Sequence, residues 1–421
     1  MTRKMKNSGV EWIGEIPVDW EMKKVKSFLR ERSEKNHANE EVLSLYREYG
    51  VIPKNSRNDN HNVTSQDTSS YKFVKKDNVV INKMKAWQGS LAVSKYQGII
   101  SPAYYIYEIR NTGEIVPEFL HYALRNPLYT QEYKRLSAGL RVGQWDLNKS
   151  EFNSLLYPIP SVKVQIKIVS YLNEKIELID KVVEDTKQSI EELKKYKQSL
   201  ITEAVTKGLD GNVEIKDSEI EWIGEMPKEW NLVKVNRLFA IKKNIANQNG
   251  YDVLSVTQSG LKVKDITRNE GQMAADYSKY QIVQPKDFVM NHMDLLTGWI
   301  DIAAQEGVTS PDYRVFYTKD TELVSNEFYL YVFQICYTNR IFYGLGQGVS
   351  NLGRWRLQTD KFLNFYLPLP PVNEQQAIVT FLNGKLVEIN SMIEQKKDLL
   401  GELEQYKKSL IYECVTGKKE V

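Results

Sequence analysis

Cysteine and histidine are scarce in this chain. Only two cysteines, Cys336 and Cys414, occur in 421 residues. They lie in different segments, which gives no disulfide or metal framework and fits a reduced cytosol. The four histidines, His37, His61, His121 and His292, are scattered. None stands at His-x-x-x-His or His-x-Glu spacing, so no zinc or metal-hydrolase motif is present. No run of 18 apolar residues exists, and a membrane span is not expected. The opening MTRKMKNSGVEW is charged and has no apolar core, so no secretory signal is expected. No Gly-x-x-x-x-Gly-Lys-Ser/Thr loop is present to cradle ATP. A large excess of one charge is also lacking: the net charge is only +3. Composition is therefore neutral on nucleic acid. With 42% hydrophobic and 26% charged residues, this is the composition of an ordinary globular protein, long enough for two to four domains.

What the chain does have is a repeat. Residues 11–20, EWIGEIPVDW, return as residues 221–230, EWIGEMPKEW, half a chain later. From Glu11 to Leu29 against Glu221 to Phe239, 9 of 19 positions are identical. Residues 158–206 match residues 368–416 at the same offset, with 22 of 49 identical and no gap. Between these stretches the halves diverge, yet landmarks survive. Val42-Leu43-Ser44 answers Val253-Leu254-Ser255. Asn82-Lys83-Met84 answers Asn291-His292-Met293, and Ser101-Pro102-Ala103-Tyr104 answers Ser310-Pro311-Asp312-Tyr313. Each half is a variable module followed by a near-constant segment.

The near-constant segments read as helices. Val169, Leu172, Ile176, Ile179, Val183, Thr186, Ile190, Leu193, Lys197, Leu200 and Ala204 alternate spacings of three and four. Val379, Leu382, Leu386, Ile389, Ile393, Lys396, Leu400, Leu403, Lys407, Leu410 and Cys414 do the same. That is an a/d seam sustained over about five heptads. Pro-x-Pro precedes each helix, and Gly208 and Gly417 mark where each should end. At 1.5 Å per residue the seam gives a rod of roughly 54 Å. A helix this long and amphipathic needs a partner. The other copy, running antiparallel, is the obvious one; packing of each helix on its own module is the alternative. The modules read as mixed, with β-rich runs at 78–82, 99–109, 287–291 and 313–318 and helical spacing at 117–136 and 325–343. Trp12 and Trp222 should anchor the start of each module. The fold class expected is α+β: two mixed α/β modules joined by two long helices that pair as an antiparallel coiled coil, a pseudo-two-fold repeat. The segments are 1–157 and 209–367 for the modules, and 158–208 and 368–421 for the helices.

Three stretches carry a resemblance: the Glu-Trp-Ile-Gly-Glu-x-Pro-x-x-Trp opening, Pro-Leu-Pro-Pro-x-x-Glu-Gln-Gln-x-Ile-Val-x-x-Leu at 368–382, and the Leu-x-x-Tyr-Lys-x-Ser-Leu-Ile-x-Glu-x-Val-Thr helix tail. With these the chain resembles the specificity subunit of type I restriction-modification systems. The first copy departs from the second motif at Ser161 and Val164 but keeps Gln165. The resemblance implies a subunit that recognises and assembles rather than catalyses. Each module would read one half of a split site in double-stranded DNA. The helices would space the modules and dock two methyltransferase subunits, joined by nuclease-translocase subunits. S-adenosylmethionine, ATP and magnesium would belong to those partners, with no cofactor or metal in this chain. Two other readings stay open: a specificity subunit of another restriction class, and a coiled-coil scaffold with protein-binding modules. A methyltransferase site is disfavoured, because the two Ser-Pro-x-Tyr turns lack the leading Asn or Asp and the second proline of the Asn/Asp-Pro-Pro-aromatic loop.

Base edges are read by paired donors and acceptors, and phosphates by cations, hydroxyls and amides. Residues 30–155 hold 18 Lys+Arg against 14 Asp+Glu, and residues 240–365 hold 13 against 13, so local clusters must carry the binding. The first cluster is Lys54, Asn55, Arg57 and Asn58, answered by Lys262, Lys264, Thr267 and Arg268. The second is Lys83, Lys85, Trp87 and Gln88, answered by His292, Asp294, Leu295 and Thr297. The third is a glycine loop with Arg141 and Gln144, answered by Asn351 and Arg354. A polar loop is ordinarily just solvated, and Tyr104, Tyr105 and Tyr313 are more often core than contact. The seam residues expected to meet are Leu172, Ile176, Ile179, Leu193 and Leu200 with Leu382, Leu386, Ile389, Leu403 and Leu410.

Overall fold

The opening motif folds back on itself because glycine allows it. Gly14 and Gly224 take φ of 72° and 63°, a left-handed conformation that suits glycine. The Gly14 amide then donates to the Val10 carbonyl at 3.0 Å, and the Ser8 amide to the Gly14 carbonyl. This turn joins strand Met5–Asn7 to Glu15–Pro17, and Ile215–Asp217 to Glu225–Pro227. The computed structural model describes residues 3–57, 67–141, 144–265, 276–348 and 355–421.

The chain forms two units: Met1–Thr186 with Lys397–Val421, and Lys187–Lys396. The first unit is built on a four-stranded antiparallel sheet, in the order Leu29–Arg32, Tyr104–Ile109, Val79–Asn82, Leu91–Val93. The second repeats it with Phe239–Lys242, Arg314–Thr318, Phe288–Met290 and Ile300–Ile302. A hairpin flanks each sheet, Leu43–Tyr46 with Gly50–Pro53 and Leu254–Thr257 with Gly260–Val263. The run 99–109, read as one β-rich stretch, is two strands interrupted by the Ser-Pro turn at 101–103. The helix expected over 117–136 is likewise two, Pro117–Leu124 and Pro127–Arg135. Pro127 cannot continue a helix through its missing N–H, and Asn126 caps the new one by accepting from the Leu128 amide. In the second unit Asn326–Thr338 is one helix, and it stops before Arg340, whose φ is 56°.

The long helices span Val162–Lys207 and Val372–Val415. Gly208 and Gly417, at φ of 77° and 73°, follow them as C-terminal stops. Each helix is divided between the two units. In the first unit Asp180 meets Lys407 at 2.6 Å; in the second Lys197 meets Asn390 at 2.8 Å. Within the first unit Lys419 lies over Tyr171 while Lys407 meets Asp180, and within the second Glu374 lies beside Gly208 while Asn390 meets Lys197, so in each unit the helices run antiparallel. Asp180 and Asn390 hold the same place in the two copies, and so do Lys197 and Lys407, so each unit pairs its helix segments through matching places of the repeat. The seam is covered throughout. Leu172, Ile179, Leu382, Leu386, Ile389 and Leu410 are buried, while Ile176, Leu193, Leu200 and Leu403 are half-buried.

The helix of each copy starts on its own module and ends on the opening motif of the other. A Cβ at Gly417 would sit 2.5 Å from Pro17 and 3.1 Å from Trp20; one at Gly208 would sit 3.3 Å from Trp230. The helix starts are latched by the glutamine common to both copies. Gln375 accepts from the Ser325 amide at 2.8 Å and donates to the carbonyls of Leu323 and Pro370. Gln165 makes the same three bonds, to Val116, Glu114 and Pro160. Both are fully buried. Replacing Gln375 by alanine orphans three backbone groups out of water. It should cost about 2–4 kcal/mol in chemical unfolding, with Gln165→Ala matching it in the other unit. A loss below about 0.5 kcal/mol would show that the latch is ornamental.

The departure at Val164 also has a structural consequence. Its counterpart Glu374 accepts from the Trp230 indole at 2.9 Å. Trp20 is equally buried, and its indole nitrogen has no hydrogen-bond partner among the described residues. Among the described residues no helix is long and apolar enough to cross a membrane.

Candidate nucleic-acid interface

The landmarks that survive between the divergent halves are far apart in sequence, and the fold gathers them. In the second unit they line a cleft of about 610 Å³. The hairpin supplies Ser255, Thr257, Lys262 and Lys264. The loop after Phe288–Met290 supplies Asn291, Met293 and Asp294, and the Ser-Pro turn supplies Ser310, Asp312 and Tyr313. Of the first two clusters expected in this unit, Lys262, Lys264 and Asp294 thus meet in one concavity, with the Ser-Pro-Asp-Tyr turn as a third wall.

Local hydrogen bonds fix these walls. The Asn291 side chain accepts from the Met293 amide, as Asn82 does from Met84. The Ser310 hydroxyl accepts from the Asp312 amide, as Ser101 does from Ala103. Gln281 donates to the carbonyls of Ser310 and Tyr313, and Lys72 holds the matching Tyr104 carbonyl at 2.6 Å. The Lys264 amide donates to Val253, and the Lys54 amide to Val42, so both lysines leave their hairpins at the same point.

The individual candidates fare differently. Lys85 and Lys262 are exposed; Lys54, Arg57, Lys83, Gln88 and Lys264 are half-buried. The Arg57 guanidinium lies over Tyr49, 4.5 Å from the ring centroid. Trp87 is not a free stacking surface: its ring packs on Trp145 at 5.0 Å, and its indole donates to the Met84 carbonyl. The exposed Thr297 hydroxyl donates to Asp294, which also accepts from the Leu296 and Thr297 amides, so this pair caps its own turn. Leu295 is core.

His292 requires a correction. Expected at the surface, it is 6% exposed. Burial first, then the neighbouring Arg314 and Arg356, push its pKa down to about 3. The ring is neutral at physiological pH and is not among the residues that line the cleft. Arg314, equally buried, donates to the Leu357 carbonyl and lies over Phe362. Arg141 and Gln144 pair in a hairpin through their backbones. Arg268, Asn351 and Arg354, with Asn58 and Thr267, lie outside the described residues.

Sequence reasoning passed over Asp312 and treated Tyr313 as core. Tyr313 is half-buried in the cleft wall and Asp312 is exposed beside it. Their signal was already present, in a Ser-Pro-x-Tyr turn kept in both copies. Trp12 and Trp222 do anchor the openings, through Tyr129 at 4.8 Å and a stacked Phe365 at 5.5 Å.

Residues 227–401 match the family described as the type I restriction modification DNA specificity domain. A relative from Methanocaldococcus jannaschii, the type I restriction enzyme MjaVIII specificity subunit, is 24% identical over 96% of this chain and 94% of its own. The putative type I restriction enzyme MjaX specificity subunit of the same organism is 22% identical over 97% of this chain and 96% of its own. Among solved structures, a chain from work on complex assembly and conformational transition of the type I R-M system superposes with a TM-score of 0.70. It is 12% identical, with 96% of this chain and 99% of that one covered. The HsdS subunit from Thermoanaerobacter tengcongensis gives 0.55 at 13% identity, with 96% and 98% covered.

Proposed function

The chain belongs to the type I restriction-modification specificity subunits, DNA-recognition proteins, and from that premise we propose how it divides the task. Each unit reads one half of a split, asymmetric site through its own cleft. The observation that carries this is the cleft of the second unit, whose frame residues recur in the sequence of the first with unlike side chains at the rim. Lys85 and Ala103 stand where the second copy has Asp294 and Asp312. Unlike rims call for unlike half-sites.

In this reading the long helices fix the gap between half-sites and dock the methyltransferase subunits. Val182 and Tyr406 in the first unit, and Met392 and Tyr196 in the second, remain exposed on the helices. They occupy the same two places in the repeat, which suits two copies of one partner. Chemistry is left to the partners: S-adenosylmethionine to the methyltransferases, ATP and magnesium to the nuclease-translocase, all in the cytoplasm. A protein-binding scaffold would give no reason for a polar cleft repeated within divergent modules.

Methylation mapping of the assembled system tests the proposal. Two short, different segments with a gap of fixed length are expected. Four residues inserted after both Glu184 and Glu394 add about 6 Å of helix, and should lengthen the gap by one or two base pairs without altering either segment. One continuous motif, or a perfect palindrome, would contradict the split reading. An unchanged gap at full activity would limit the helices to docking.

A further inference from the structure

The residues that line the cleft have counterparts in the first copy more alike than the modules around them. Of the fourteen lining residues in the second unit, nine are the same amino acid at the matching place in the first. Part of that likeness serves the frame: Val253, Leu254 and Met293, and the turn-closing Ser310. The rest is polar and points to a ligand. Lys264 matches Lys54, Ser255 matches Ser44, and Asn291 matches Asn82. Tyr280 and Tyr313 match Tyr71 and Tyr104.

These residues come from four separate elements, so no single local turn requires them all. Their chemistry is uniform. A lysine ammonium, a serine hydroxyl, an asparagine amide and two phenols all donate hydrogen bonds, and no shared member is an acid. Such a set suits an oxyanion. If the two half-sites differ, residues that read bases should differ too. Residues that do not differ must meet what both half-sites have in common, and that is the sugar-phosphate backbone.

We propose that the shared donors of the two clefts form one phosphodiester clamp, built twice, which seats each unit on a backbone phosphate of its half-site. The unlike rim residues then choose the bases. Asp312, where the first copy has Ala103, accepts from an exocyclic amino group of a base in the second half-site. The assignment rests on the split-site reading above and names its parts.

The complex reconstituted with its own methyltransferase subunits provides the test. Its affinity is measured between 50 and 200 mM salt for the target duplex and for duplexes altered one base pair at a time in the second half-site. Lys264→Ala should weaken every duplex by a similar factor, about 5–10-fold at low salt. It should reduce the slope of log affinity against log salt by about 0.9, the loss of one phosphate contact. Lys264→Arg should restore both. Asp312→Ala should leave the slope alone and flatten the preference at one base pair.

The clamp is overturned if Lys264→Ala changes which base is preferred, or leaves affinity and slope unchanged. It also falls if a folded Lys264→Arg behaves like the alanine variant. Failure of the split-site reading looks different: the unaltered complex would then show no preference between the target and its altered duplexes, and the clamp would fall with it.

Discussion

Aspartate at Leu172 or Leu382 should prevent the chain from holding its fold. Both side chains are fully buried, each in the core of its unit and in the helix seam at once. Truncation alone would cost about 2–5 kcal/mol in lost packing. A carboxylate without a partner adds a desolvation cost of several kcal/mol more. The sum rivals the whole stability of a typical domain. We expect no soluble complex with the methyltransferase and no cooperative unfolding transition from either variant. Leu193 and Leu403 stand at equally regular seam positions, yet they are only half-buried. Aspartate there can turn its charge to water. The loss should be about 1–2 kcal/mol, with assembly weakened rather than abolished. Equal damage at all four positions, by chemical unfolding and by size-exclusion chromatography, would mean that the partner protein covers the seam.

That contrast marks how far the sequence could be read. The alternation of three and four placed both helices and their seam, because burial along a helix follows its period. It could not grade the seam. Burial at Leu172 and Leu382 comes from module residues packed on the same side chain, and those contacts are long-range. The repeat exposed the architecture, since one structural task done twice leaves two similar segments. It did not reveal that each helix tail packs on the opening motif of the other copy. That contact joins Gly417 to Pro17 and Trp20, at opposite ends of the chain.

The candidate site was legible in part for the same reason. Lys262 and Lys264 were visible as charges in a loop, and the Ser-Pro-Asp-Tyr turn as a landmark shared with the first copy. Nothing local said that they meet. His292 failed because a polar residue in a variable loop looks exposed from sequence. The fold buries it, with Arg314 of a neighbouring strand close enough to lower its pKa further. The packing of Trp87 on Trp145, from a distant hairpin, was likewise not visible locally.

The central claim is that each module reads its own half-site independently. The two units have separate cores, each has its own four-stranded sheet, and the cleft of the second lies wholly within that unit. Replacing residues 30–155 with the corresponding module of a relative should therefore change one half-site completely and leave the other untouched. Single-molecule methylation mapping of cells carrying the exchanged chain and its methyltransferase reads both segments at once. The account predicts a new first segment, the original second segment and the original gap. A map in which both segments change, or in which the original site persists, would contradict it.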